Sequence, residues 1–215
     1  MVDALRSAVA GLYPTIAGNP DYTSIVSADH YARLAALVDD ATAKGARAIT
    51  LGESDPAKRV LAPTLLVGVD DTMAVMREEI FGPLLPIETY ADAPDAYARI
   101  NARPHPLAFY FFGDRRGADA ALRATRAGGA TINDTLWHFA HEELPFGGIG
   151  ASGSGAYHGE AGFLAFTHRK SVFVQPRVAF TRLLGPPYGA RFERLLGLLS
   201  RFNGGRGRAE KHRRV

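Results

Sequence analysis

Five short apolar runs, interleaved with segments of helical periodicity, constrain this chain more than any other feature. The runs cover residues 46–51, 61–69, 84–90, 107–112 and 130–133. Helical patterns fill the intervals at 4–12, 27–43, 74–79, 93–103 and 117–127. Strands alternating with helices of about ten residues predict an α/β fold, with a mostly parallel sheet covered by helices on both faces. Ser27 is placed to cap the second helix, whose apolar face reads Tyr31, Leu34, Val38 and Ala41, and Gly45 stops it. The run 107–112 is continuously apolar and aromatic, the mark of a strand buried on both faces.

The pattern breaks after Asn133. Residues 134–159 are rich in glycine and aromatic side chains and show no period. A loop of that length inside a compact domain usually carries function. Beyond it come a short helix over 160–166, a strand over 171–175 and a break at Pro186 and Pro187. An amphipathic helix over 191–202 follows, with Phe192, Leu195, Leu196 and Leu199 on one side.

The chain has no cysteine, so disulfides, thiolate metal ligands and a thiolate nucleophile of its own are excluded. No apolar run approaches the ~20 residues of a membrane helix. Asp3 and Arg6 interrupt the apolar N-terminus, which reads as a helix and not a secretory signal, so a soluble cytoplasmic protein is expected. The net charge of +3 is carried by the end of the chain, where residues 201–215 hold +5 and leave −2 on the first 200. Such a tail can touch nucleic acid or anionic lipid, but its ordinary reading is a solvated terminus.

Three motifs invite a chemical reading and do not support one. Residues 148–153 match the glycine pattern of a dinucleotide loop, but that pattern should follow a strand and open a helix. Glycine's freedom at positive φ in a tight loop accounts for it better. A nucleophile elbow needs glycine two residues before and two after its serine, but Ser152 has Ser154 after it and Ser154 has Ser152 before it, so both fail. His138, His141, His158 and His168 have no metal-binding spacing, and no metal is expected. Glu78-Glu79-Ile80-Phe81-Gly82-Pro83, taken by spacing alone, could simply end a helix.

These segments together resemble the aldehyde dehydrogenase family. The resemblance rests on residues 78–87, on Pro63-Thr64-Leu65-Leu66, on residues 128–134, on Pro145-Phe146-Gly147-Gly148 and on residues 152–159. It extends over about residues 1–180, with the motifs in matching order. Ala156-Tyr157-His158-Gly159 resembles the class 3 branch, and Pro186-Pro187-Tyr188-Gly189 with its terminal helix resembles the coniferyl aldehyde dehydrogenase subgroup.

The resemblance implies a cysteine thiolate that attacks the aldehyde, a hydride passed to NAD or NADP, and an activated water that releases the acid. The thiolate, the base and the nucleotide-binding domain would lie upstream of this sequence. A truncated catalytic-domain portion, inactive alone, is therefore expected. By resemblance Glu79 accepts hydrogen bonds from the nicotinamide ribose and Phe81 packs near it. Asn133 is a structural asparagine near the active centre, and Phe146, Trp137 and Phe139 line the aldehyde tunnel. Many relatives carry glutamate where Tyr157 stands, so a proton relay through that acid is not expected.

The expected division is a catalytic-domain portion over 1–172, an oligomerisation strand over 173–182, and a helix with a basic tail over 183–215. Expected partners are an aldehyde substrate, if the missing half is supplied, and further subunits in a homo- or hetero-oligomer. The alternative is a non-catalytic module that pairs with full-length aldehyde dehydrogenase subunits.

Overall fold

Neighbouring side chains on a strand point to opposite faces, and that alternation organises the first part of the chain. The computed structural model describes residues 1–177, 185, 186 and 188–209, with side chains described to residue 201. Strands β1 (Arg47–Thr50), β2 (Thr64–Val67) and β3 (Leu84–Ile87) form a sheet in that order. β1 runs antiparallel to the central β2, and β3 runs parallel to it.

Leu66, Ala48 and Leu84 face helix α2 (Ala28–Ala43), packing with its Leu34, Leu37 and Ala41. Leu65, Ile49 and Ile87 face the other way and pack with Val2, Leu5 and Val9 of α1 (Val2–Leu12). This sheet thus has a helix on each face. Leu34, Leu66 and Met73 are fully buried, and burying a leucine side chain contributes roughly 1.5–3 kcal/mol.

The α2 face is rotated slightly from the expected one. Leu37 is buried, while Tyr31 and Val38 sit at the margin. Ser27 caps the helix, accepting from the His30 amide at 3.1 Å.

Several elements are shorter than their apolar runs. The run 61–69 yields only Thr64–Val67. Pro63 has no N–H to donate, and its upstream neighbours instead close an Asp55–Val60 bridge around an unanticipated 3-10 turn, Pro56–Lys58. Strand β3 stops at Ile87, after which Glu88 pairs with Arg99 and Arg103. The helix expected over 74–79 is a single 3-10 turn, Ala74–Met76.

The sheet expected to be continuous is two sheets among the described residues. After α3 (Ala93–Asn101), β4 (Ala108–Phe111) and β5 (Gly129–Ile132) pair in parallel across the crossover helix α4 (Arg115–Ala124). Helix α4 begins earlier than expected because Asp114 caps it, accepting from the Gly117 amide at 2.6 Å. Strand β4 is not buried on both faces as its sequence suggested. All four of its residues are half-buried and Phe112 is exposed, because a two-stranded sheet offers little surface to cover them.

Residues 134–159 hold more structure than a loop. They include a short helix, α5 (Trp137–Ala140), and isolated bridges Phe146–Tyr157 and Gly150–Gly153. Helix α6 (Gly159–Ala165) follows.

The chain divides into two units, 1–162 and 163–215. In the second unit α7 spans Ala190–Ala209, longer than the predicted 191–202. The strand predicted over 171–175 is irregular, and Val172, Phe173 and Val174 are exposed. A strand takes its hydrogen bonds from a neighbour, and none pairs with this segment among the described residues. Residues 178–182 of the expected oligomerisation strand lie outside the described residues, as do 210–215 of the basic tail. No helix of the described residues is long and apolar enough to cross a membrane.

Candidate functional site

Glu79 and Phe81 sit on the segment between the Ala74–Met76 turn and β3, and both are exposed. The Phe81 ring is 74% exposed although large and apolar. Its backbone has φ +48°, a left-handed conformation that costs a side-chain-bearing residue about 1–2 kcal/mol. Three residues of α2 reach this segment. His30 Nε2 lies 2.8 Å from the Phe81 carbonyl, and Arg33 Nη2 donates to the Ile80 carbonyl at 2.6 Å. Leu34 packs under Gly82, where an added Cβ would fall 2.5 Å from Cδ1. Upstream, the Asp40 carboxylate receives the Ala74 amide at 2.8 Å and Lys44 at 2.6 Å. Those two contacts, Lys44 first, hold Asp40 below the usual carboxylate range.

The other candidates gather around β5 and the segment after it. Asn133 has φ +57°, and its side chain closes two hydrogen bonds with Gly113, accepting from the amide at 2.8 Å and donating to the carbonyl at 3.0 Å. It therefore fastens the end of β5 to the turn after β4. Thr131, two residues earlier, does similar work. Its hydroxyl contacts His138 Nδ1 at 2.9 Å and accepts from the His138 amide at 3.2 Å.

His138 is buried and stands 6.2 Å from Phe146, whose ring also meets Phe139 at 5.5 Å and stacks on His158 at 5.8 Å. Tyr157 packs edge-on against Phe146, and the two residues exchange both main-chain hydrogen bonds. Such edge-to-face and offset arrangements suit the ring quadrupoles.

The structure brings Phe146 and Phe139 together. Trp137 lies on the same short helix as Phe139 but is 64% exposed. Glu79 and Phe81 form a separate group on the α2-tethered segment. A cavity of about 590 Å³ lies beside α1, lined by Arg6, Tyr13, Ile16, Thr50 and Glu53 among others, and none of the candidate residues lines it.

The glycine run is explained by contact, not by phosphate binding. A Cβ on Gly147 would fall 2.0 Å from the Gly155 carbonyl oxygen, and one on Gly148 would fall 2.1 Å from that of Ser152. The run folds back on itself at the Gly150–Gly153 bridge, and the next helix, α6, begins only at Gly159. His30, Arg33, Thr131 and His138 were not singled out as site-supporting residues by sequence reasoning. The available signal for the first two was their i, i+3 spacing beside buried Leu34, which puts them on one edge of α2.

Residues 1–172 match the model of the aldehyde dehydrogenase family, and the chain belongs to that family. Within it, the chain is similar to coniferyl aldehyde dehydrogenases. It is 47% identical over 203 residues to a probable coniferyl aldehyde dehydrogenase of Caulobacter vibrioides, covering 91% of this chain and 42% of that protein. It is 46% identical over 198 residues to the coniferyl aldehyde dehydrogenase of Pseudomonas sp. strain HR199, covering 89% and 41%. Among solved structures, Staphylococcus aureus AldH in a substrate-bound state superposes with a TM-score of 0.78 at 40% identity, covering 92% of this chain and 43% of that one. The chain thus spans under half the length of the curated relatives it matches.

Proposed function

We propose that this chain supplies the cofactor-facing loop and part of the aldehyde-facing wall of an NAD- or NADP-dependent aldehyde dehydrogenase. The reaction is oxidation of an aromatic aldehyde, such as coniferyl aldehyde, to its carboxylic acid. The observation that carries the reading is the pair Glu79 and Phe81, both turned outward on one tethered segment within the family-matched region. A carboxylate that accepts hydroxyl hydrogen bonds and an open ring face suit a ribose beside an aromatic base. Bound NAD or NADP supplies the hydride acceptor. Glu79 would hold the ribose and Phe81 would pack against it.

Phe146 and Phe139, with Trp137 at the margin, make an apolar aromatic wall suited to a hydrophobic aldehyde. The name of the relatives, coniferyl aldehyde dehydrogenase, supports an aromatic substrate. The thiolate that attacks the aldehyde is not among these 215 residues. It must come from polypeptide beyond them, in the same molecule or in another. The assembly is oligomeric in this reading, and the exposed Phe173 and Val174 support association through that segment.

The 215-residue chain alone should give no NAD or NADP reduction with coniferyl aldehyde or benzaldehyde. Mixed with a separately produced N-terminal portion of a coniferyl aldehyde dehydrogenase that carries the cysteine, it should restore activity, because reacting groups need only be held in place. Phe146→Ala in that mixture should raise the aldehyde KM more than the cofactor KM. Steady turnover by the chain alone would refute the reading. A second reading, a non-catalytic module pairing with full-length subunits, draws on the exposed Leu107, Phe112, Leu136 and Trp137. Co-purification with an intact relative, without restored activity in the mixture, would select it.

A further inference from the structure

Residues 79–81 do not hold their shape by their own main chain. Their amides make no main-chain hydrogen bond among the described residues. What fixes them is one edge of α2. Arg33 takes the Ile80 carbonyl, His30 takes the Phe81 carbonyl, and Leu34 fills the space under Gly82.

The two polar contacts are joined. Arg33 Nε lies 3.4 Å from His30 Nδ1. Arginine can only donate, so Nδ1 accepts, and Nε2 carries the hydrogen that the Phe81 carbonyl receives. The third arm of the guanidinium, Nη1, reaches Glu78 at 3.4 Å. One arginine therefore grips the segment at Glu78 and Ile80 and also sets the tautomer of the histidine that grips Phe81. The edge of the His30 imidazole further meets the Phe81 ring at 5.9 Å between centroids. These contacts converge on the one residue of the segment whose backbone is left-handed.

We infer that His30 and Arg33 are positioning residues for the cofactor: they lock Phe81 in its left-handed conformation and so aim its ring and the Glu79 carboxylate at the nicotinamide ribose. The inference rests on the reading of Glu79 and Phe81 as cofactor-facing. Neither residue touches the cofactor in this scheme. Both act through the shape of the segment.

Two measurements separate the clamp from the cofactor reading. In the first, the full chain is digested briefly with chymotrypsin under native conditions. The nick between Phe81 and Gly82 is quantified by mass spectrometry, and circular dichroism checks the fold. Nicking follows the population of the opened segment. Arg33→Ala and His30→Leu should speed it by about tenfold, as loss of a charge-assisted or ring N–H hydrogen bond implies. His30→Gln, whose amide can accept from Arg33 and donate to Phe81, should stay within about twofold of the parent. Arg33→Lys keeps one donor and should fall between, and it replaces Arg33→Ala should that variant not fold. Parent-like nicking in His30→Leu and the Arg33 variant, or His30→Gln nicking as fast as His30→Leu, overturns the clamp.

In the second, the mixture with the cysteine-bearing portion is titrated with NADH by fluorescence, in parallel with steady-state kinetics. Arg33→Ala and His30→Leu should weaken NADH binding about tenfold, as Glu79→Gln does, with the aldehyde KM unchanged and His30→Gln restoring affinity. Weakened binding in Glu79→Gln but not in the clamp variants overturns the positioning role. Parent-like binding in all three overturns the cofactor reading and the positioning role with it, while the nicking rates still report on the clamp.

Discussion

Replacing Gly82 with alanine puts a methyl carbon 2.5 Å from Leu34 Cδ1 and 2.8 Å from Cδ2. Carbon atoms in contact prefer about 3.5–4.0 Å, so the overlap is roughly 1 Å. Gly82 is not in the left-handed region, so no backbone strain confuses the comparison. Leu34 is fully buried within the cluster that α2 builds, so it cannot swing out into solvent. Overpacking of this kind costs about 1–3 kcal/mol. Leu34→Ala, in turn, leaves a cavity and should cost about 2–5 kcal/mol.

In the double variant the new methyl group no longer meets a leucine, and it occupies part of the space that the leucine left. Its total cost should therefore fall short of the sum by about 1–3 kcal/mol, a coupling that distant sites do not show. Urea unfolding of the parent, both single variants and the double variant measures this directly. If the double variant cost the sum of the singles, the packing of Leu34 under Gly82 would be refuted. If Gly82→Ala alone cost under about 0.5 kcal/mol, the segment would have room that the geometry denies it.

Asp40 sets a pH dependence with a definite sign. Its carboxyl is held below the ordinary range in the folded chain, chiefly by Lys44 and then by the Ala74 amide. Its contribution to stability is therefore complete above the ordinary carboxylate range and is lost as pH falls through the lowered folded value. Asp40→Asn should flatten the acid side of a plot of urea midpoint against pH between about 2.5 and 6, and an unchanged acid slope would contradict the assignment. Gly147→Ala should disrupt the Phe146–Tyr157 bridge, because its Cβ meets backbone at 2.0 Å and nothing flexible can yield. Gly150→Ala meets no atom and carries only its positive φ of 63°, so about 1 kcal/mol is expected. The two melting temperatures should rank accordingly, with Gly147→Ala much the lower.

The sequence disclosed the α/β alternation because apolar runs and helical faces are local patterns. It also disclosed the N-cap at Ser27, where a hydroxyl precedes the first helical turn. Strand ends were less legible. Glu88 follows the end of its strand and finds partners elsewhere in the chain, at Arg99 and Arg103. The exposure of β4 was misread because an apolar run shows what a strand prefers to contact and not whether this chain supplies it.

In the candidate site, Glu79, Phe81, Asn133 and Phe146 are singled out by family resemblance and not by spacing. The left-handed backbone at Phe81 could not be read from residue type, since aromatic residues rarely adopt it, whereas asparagine, as at Asn133, is a type enriched there. His30 and Arg33 act on carbonyls about fifty residues away, so no local window contains both ends of the contact.

The half-open state of β4 has a consequence for handling the protein. Residues 107–112 form a six-residue window of high β-propensity, with no charge and no proline, and Leu107 and Phe112 at its two ends are exposed. That is the composition from which steric zippers assemble. Strand β3 is different, since Pro86 removes one donor from the ladder and Glu88 follows directly after the strand. Fibril or aggregate growth from this chain should therefore start at β4, with a lag that shortens as concentration rises. A lysine in place of Phe112 should act as a gatekeeper there, lengthening the lag while leaving the Ala108–Gly129 register of the native sheet intact.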